Sequence, residues 1–499
     1  KTGETRSFSL KGVVSDGNKT LFRLPASTVS LRPGENRRVV VTGIWENAVF
    51  WSPENPKLFR LHLTLHDSSG KPLDELSSRF GFREMKIRGS DFVLNGKKIH
   101  LKFLSSQFQF DGKSMEDIRN ILLALKRLHF NGILYESLDS RTLELCDELG
   151  MLAAIRHVMP PLVRNGEYLP GVPNQGIPFA AYLSNRYAGA RKDLEEAISG
   201  IVRKFRNHPS VVIWMLNPLL CWNPNWINPN TIDAEPRQSD VMLASLREEA
   251  FLRRLDPTRI VIQSMGANTG AVISCNPYPT FSNQPDEWAD WPMRWAERRK
   301  KPLLLEEVAL PFVFNFASFH SSSKNRFNGW TDMRQLFYEH AARYFGDPIY
   351  TSAKPEMSDV NWHSLSNGNR EKNTDLSSYA PLNPAAEAAH VYWLRRCGLA
   401  WRLYDIPGVW PFQGHQLYYS HGSARKRDFS YVDVTAPGIK YDFGTPESFT
   451  ETNRVFDEQK RIQSPFLAWI AGRPERFSSQ EHNYYSGQEL VKQFIFSNH

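Results

Sequence analysis

LKRLHFNGILYESLDSRTLELCDELGML, residues 125–152, changes rhythm several times within one short stretch. It opens on the end of an amphipathic helix and passes through the apolar run NGILY at 131–135. A second helical stretch follows, and then another apolar run, MLAAI at 151–155. Short apolar runs alternating with helices are the pattern of parallel βα units. Outward from this stretch the pattern repeats. Candidate strands are IHLKFL at 99–104, NGILY, MLAAI, VVIWML at 211–216, IVIQS at 260–264, AVISC at 271–275, PLLLE at 302–306 and GLAWR at 398–402. Eight such units predict a (β/α)8 TIM barrel. Ser114 with Asp117 reads as a capping-box start, after which Ile118, Ile121, Leu122, Leu125 and Leu128 share one helical face. Asn383 and Pro384 read as the cap and first turn of the last helix, expected to end at Gly398.

Upstream of the barrel the period becomes two. RRVVVTG, LFRLHLTLHD and SSRFGFREMKI alternate apolar and polar residues and are broken by turns such as SPENP and SSGKP. Short strands so spaced predict an Ig-like β-sandwich over residues 1–88. The barrel is expected over 89–430. The interval 308–382 is too long for one loop, so it is read as an insertion carrying a helix near 331–345. Residues 431–499 read as a linker rich in Pro, Gly, Ser and Thr, then SPFLAWIAG and LVKQFIFSNH as the start of a further β domain. The chain begins inside a strand-like pattern without an initiator Met, and it is read as a segment of something longer.

Composition narrows the function classes. The chain has 499 residues, with 61 Lys plus Arg against 53 Asp plus Glu, a net charge of +8. There is no run of five like charges and no basic helix stripe, so nucleic acid is not expected as a partner, while a mildly anionic substrate stays open. No 18-residue apolar stretch exists, so no membrane span is expected. Cys146, Cys221, Cys275 and Cys397 lie far apart and form no metal or CxxC pattern, and Cys146 and Cys275 read as core thiols. With no HExxH, no glycine-rich phosphate loop and no GxSxG, neither metal nor cofactor is expected. Aromatic residues reach 12%, with 14 Trp, 17 Tyr and 31 Phe. They serve either a large core or a cleft in which ring faces stack on sugars.

Four stretches resemble the glycoside hydrolase family that includes β-galactosidases, β-glucuronidases and β-mannosidases, family 2. WSPENPKLFRLHLTL with RFGFREMKIRGSDFVLNGKKIHLKF is similar to that family's passage from sandwich to barrel. The opening quotation resembles its second barrel unit, RNHPSVVIWML its fourth strand and KPLLLEEVA its seventh. The resemblance implies a retaining β-glycosidase using two carboxyls about 5–5.5 Å apart. It places the nucleophile at Glu307, with Glu306 beside it. Alternation along a strand would send one toward the barrel axis and the other toward the helices. After strand four the family has Trp, then Asn-Glu. Here Trp214 is followed by Met215, Leu216, Asn217, Pro218 and Leu219, and the Glu position holds a residue that donates no proton.

Three explanations stand. Another carboxyl supplies the proton, Glu136, Asp233 or Glu235. Or the enzyme turns over only good leaving groups. Or the barrel is a non-catalytic carbohydrate-binding scaffold. The resemblance further assigns Asn217 to a sugar 2-hydroxyl, and Tyr278 of CNPYP either orients the nucleophile, as the resemblance implies, or is a turn aromatic, while Trp401 on strand eight either floors a sugar subsite or packs in the core. Trp222 and Trp226 are lid or stacking residues, and Arg156 with His157 reads an anionic group or forms an internal ion pair. Carbohydrate is the expected partner. Export to the periplasm or outside is expected by analogy alone.

Overall fold

The computed structural model describes residues 3–104, 114–135, 139–156, 163–164, 167–168, 188–216, 232–234, 240–277, 285–308, 384–411, 454–473, 478 and 483–499. The first sheet uses β1 (Arg6–Asp16), β2 (Lys19–Arg23), β3 (Ser27–Leu31), β4 (Phe59–His66) and β5 (Pro72–Phe80). Its order is β2-β1-β4-β5, with β3 pairing the start of β1, and all four pairings are antiparallel. RRVVVTG was expected to be a strand, but residues 37–43 form none. They belong to an irregular strap laid over the sheet. Trp45 stacks on Phe22 with centroids 5.8 Å apart and meets Phe59 edge-on at 4.9 Å. A side chain at Gly43 would lie 2.9 Å from the Phe22 ring. Alternation alone cannot make a strand without a partner for its ladder. The described residues of this unit therefore form one sheet and a strap.

A small meander follows: β6 (Met85–Arg88), β7 (Asp91–Leu94) and β8 (Lys97–Ile99). Asn95 and Gly96 form the two-residue β7–β8 loop, with φ of 51° and 81°. Hairpin turns of this kind need positive φ at both positions.

The remaining strands are β9 (Phe103–Leu104), β10 (Gly132–Tyr135), β11 (Leu152–Ile155), the short ribbon β12 (Val163–Arg164) and β13 (Glu167–Tyr168), then β14 (Val211–Leu216), β15 (Ile260–Gln263), β16 (Ile273–Cys275), β17 (Leu303–Val308) and β18 (Gly408–Pro411). Apart from the ribbon, they form two parallel sheets, β15-β14-β11-β10-β9 and β16-β17-β18. A parallel bridge, Leu101 to Gly408, joins the β9 edge to β18, with Leu101 N–H donating to Pro407 O at 2.7 Å. At the other junction, Ala267 and Ser274 pair in an antiparallel bridge between β15 and β16.

The helices are α1 (Met115–Arg127), α2 (Ser140–Leu149), α3 (Ala188–Phe205), α4 (Asp240–Leu255), α5 (Pro285–Ala289), α6 (Met293–Arg298), α7 (Pro384–Leu403) and α8 (Arg454–Gln463). The Ser114 hydroxyl accepts from Asp117 N–H at 3.0 Å, as the capping box requires, and Ile118, Ile121, Leu122 and Leu125 are buried. One expectation fails here. GLAWR at 398–402 is the end of α7, and the last parallel strand is β18. Gly398 does not stop the helix. It lets α8 approach, since a Cβ there would sit 2.7 Å from Ile462 Cδ1. The expected insertion near 308–382 and the linker to 453 lie outside the described residues, and β19 (Phe466–Ala471) pairs antiparallel with β20 (Gln493–Asn498).

Two apolar layers sandwich the parallel strands. Ile133, Ala153, Val261, Ile273, Leu303 and Leu305 face the helices. Phe103, Leu134, Ala154, Ile213, Ile262, Leu304 and Trp410 face inward, where Met85, Phe92 and Leu94 of the meander join them. Burying side chains on both faces is what near-continuous apolar strands achieve.

Candidate active site

The parallel pairing puts the C-terminal ends of these strands on one side, the side on which barrel enzymes build their sites. The carboxyl pair expected there is on β17. Leu303 and Leu305 belong to the outer layer and Leu304 to the inner one. Strict alternation from Leu304 would send position 308 inward, yet Val308 belongs to the outer layer. The ladder agrees. Leu305 pairs with Val409 and Val308 with Pro411, so β17 carries one extra residue. The backbone of two consecutive glutamates, Glu306 and Glu307, lies opposite Trp410. The simple alternation of the strand is interrupted at this bulge. Bulges of this kind re-aim side chains and cluster beside functional sites.

Glu306 was expected among substrate-binding side chains, but it is wholly buried. Its Oε2 accepts from the Ser264 hydroxyl at 2.5 Å and its Oε1 from Met265 N–H at 2.9 Å. Both donors come from the turn after β15. Met265 and Ala267 in that turn have φ of 54° and 45°. A left-handed conformation costs a non-glycine residue about 1–2 kcal/mol, so the turn stores strain that its bonds to Glu306 offset. Ser274 of β16 reinforces it: its hydroxyl accepts from Gly266 N–H at 3.0 Å and donates to Gln263 O. Burial above all, and then the charge of Glu306, pushes the neighbouring Cys275 thiol well up. Cys146 and Cys275 are buried core thiols, as expected.

Glu307 has its backbone in β17. Its side chain, together with Glu136, Asn217, Tyr278, Trp222, Trp226, His157 and Glu235, lies outside the described residues. Asp233 does not present a free carboxyl, because Arg298 Nη1 donates to its Oδ1 at 2.6 Å. Trp401 is corrected. It sits on helix α7, 3% exposed, and its indole N–H donates to Trp288 O at 2.9 Å. A ring packed in the outer layer offers no face to a sugar. The Ser264–Ala267 turn was not singled out in the sequence, since its left-handed residues are Met265 and Ala267, types that do not mark such a backbone.

At the opposite end of the strands another cluster forms. His100 and His499 rings stack at 3.8 Å, and His100 Nε2 lies 2.7 Å from Asp405 Oδ1. These three are the group of side chains among the described residues whose donors could converge on a metal ion. Asp405 Oδ2, however, already accepts from Lys98 at 2.5 Å and Arg299 at 3.0 Å. Burial would raise the Asp405 carboxyl, but these donors outweigh it and hold it far below the usual range. The cluster is an ion-pair hub. Burial and the cations around it push His499 down to about 2.

Comparison with known proteins agrees with this architecture. The model of glycosyl hydrolases family 2 matches residues 1–83, and the model of that family's TIM barrel domain matches residues 85–328. These spans take in about two thirds of the sequence, and the chain belongs to glycosyl hydrolase family 2. It is 27% identical over 309 residues to a β-galactosidase of Aeromonas hydrophila, covering 58% of this chain and 25% of that protein. It is 24% identical over 298 residues to a β-glucuronidase of Paenibacillus borealis, covering 54% and 45%. The chain thus spans a quarter to less than half of the length of these relatives. A family 2 β-galacturonidase structure from Eisenbergiella tayi has a TM-score of 0.50 at 17% identity, covering 83% of this chain and 59% of that one, a likeness of fold.

Proposed function

We propose that this chain carries the catalytic core of a retaining β-glycosidase acting on a β-linked glycan or oligosaccharide. In this reading the eight parallel strands close as a (β/α)8 barrel, and Glu307 attacks the anomeric carbon. The observation that carries the reading is the bulged end of β17. It brings two consecutive glutamates to the C-terminal side of the strands, inside the span matched by the family's barrel model. Relatives named as a β-galactosidase and a β-glucuronidase support a hexoside or uronide as substrate.

The acid comes from elsewhere than strand four, where Asn217 and Pro218 stand. Glu136 directly follows β10 in the sequence and is the candidate acid/base. It protonates the leaving oxygen and then deprotonates the water that releases the glycosyl-enzyme. Asn217, Trp222, His157 and Tyr278 also follow strand ends and are the candidate sugar contacts. The test compares the wild type with Glu307→Gln and Glu136→Gln on natural β-glycosides and on aryl glycosides with good leaving groups. Hydrolysis by the wild type alone supports the nucleophile. Glu136→Gln is expected to keep activated aryl substrates and lose natural ones, since general acid catalysis contributes about 10²–10⁴-fold. Glycan binding by a wild type that turns over nothing overturns the reading and leaves a binding scaffold.

A further inference from the structure

We propose that Glu306 is a positioning residue, whose buried carboxylate ties the turn between β15 and β16 to the bulge of β17 and so fixes the backbone that presents Glu307. This rests on the proposed role of Glu307.

The geometry points to it in three ways. First, both oxygens of Glu306 are engaged by one turn, Oε2 by the Ser264 hydroxyl and Oε1 by the Met265 amide. Two donors from one turn meet two acceptors, which a carboxylate supplies. A glutamine could keep both contacts, its carbonyl oxygen accepting from Met265 N–H and its NH2 donating to the Ser264 hydroxyl, whereas a methionine of similar length leaves the Met265 amide without an acceptor. Second, that turn is strained at Met265 and Ala267 and crowded at Gly266, where a Cβ would lie 2.6 Å from Gln263 Cβ. Backbone held in a disfavoured region persists only when its surroundings over-determine it. Ser274 clamps the turn from β16, and Glu306 clamps it from β17, one strand further round. Third, Glu306 is the first of the two residues that the bulge sets opposite Trp410. Pinning its side chain leaves the backbone of the second little freedom. Misplacing a reacting group by about 1 Å can cost about 10²-fold in rate.

The experiment has a structural and a kinetic arm, with Glu306→Met, Ser264→Ala and a control, Leu145→Ala, on helix α2. In hydrogen exchange, Glu306→Met is expected to speed exchange about tenfold or more in both segments, 264–270 and 303–308, because local opening tracks lost contacts. Ser264→Ala, which removes one donor, is expected to do less, and Leu145→Ala to leave both segments as they are. In kinetics, Glu306→Met is expected to lower kcat about 10–100-fold with KM within about twofold. Covalent labelling of Glu307 by a sugar-configured aziridine is expected to slow by the same factor. Unchanged exchange in both segments overturns the proposal. So does faster exchange with unchanged kcat, or a matching fall of kcat in a Leu145→Ala protein of equal stability. If the wild type neither turns over nor is labelled, the assignment of Glu307 fails instead, while the exchange arm still decides whether Glu306 holds the turn to the bulge.

Discussion

At the base of the parallel strands, arginines are tied to backbone carbonyls, while at their mouth a carboxylate is tied to a strained turn. Arg83, from the end of the first sheet, donates to Thr258 O at 2.7 Å, Val211 O at 2.8 Å and Pro209 O at 3.2 Å. Arg259 donates to Val211 O, His208 O and Arg206 O and pairs with Asp256 at 2.7 Å, and Trp214 N–H donates to the same carboxylate. Trp51 reaches across from the first unit to Asp147 O at 2.8 Å. Each of these side chains at the base reaches backbone carbonyls or a paired carboxylate. At the mouth, Glu306 instead stabilises left-handed residues beside a bulge. The contrast fits the proposed reading, in which the base carries stability and the mouth carries chemistry, as barrel enzymes divide their labour.

The largest expected effect comes from Glu307→Gln. Turnover of aryl glycosides should fall by about 10⁴-fold or more, equivalent to about 5 kcal/mol of transition-state stabilisation. The thermal midpoint should stay within about 2 °C. A large drop in midpoint would mean that Glu307 belongs to the scaffold. Next comes Arg259→Ala at the base. It leaves Asp256 charged and buried without its partner, and chemical denaturation should show a loss of about 3–5 kcal/mol. The specific activity of the protein that remains folded should be that of the wild type. Were activity lost with stability retained, the division between base and mouth would collapse.

A smaller effect is expected at the joint between the units. Gly150 caps α2 at φ 69°, and a Cβ there would lie 2.4 Å from Pro53 O. Gly150→Ala should cost about 2 kcal/mol from conformation and contact together, read as a lower denaturation midpoint. The smallest is a pH slope from the His100–His499 stack. Burial depresses both histidines in the fold, His499 to about 2, against about 6.5 in an unfolded chain. The unfolded state therefore binds more protons below about pH 6.5, and stability falls as the pH drops from 7 to 5. His499→Gln should flatten that slope by up to about 2 kcal/mol over this range. An unchanged slope would separate the stack from acid sensitivity.

Much of the architecture was legible in the sequence because it depends on local period. Seven of the eight parallel strands fall on short apolar runs between amphipathic helices. The capping pair Ser114 and Asp117 is formed as its spacing required. The failures are of one kind. RRVVVTG has a strand's alternation and no partner, and GLAWR has a strand's composition at the end of a helix whose glycine serves a neighbour, Ile462. For the candidate site, sequence order alone brought Glu306 and Glu307 to the end of a strand.

The chain's own sequence determined its periodicities, caps and hairpin turns, because these arise between residues a few positions apart. Only the tertiary structure decided which strands found partners, that β17 bulges opposite Trp410, and that Glu306 answers to Ser264 and Met265 across β16. Those outcomes depend on groups far apart in sequence. Their burial and hydrogen bonding are settled only when distant segments compete for the same space.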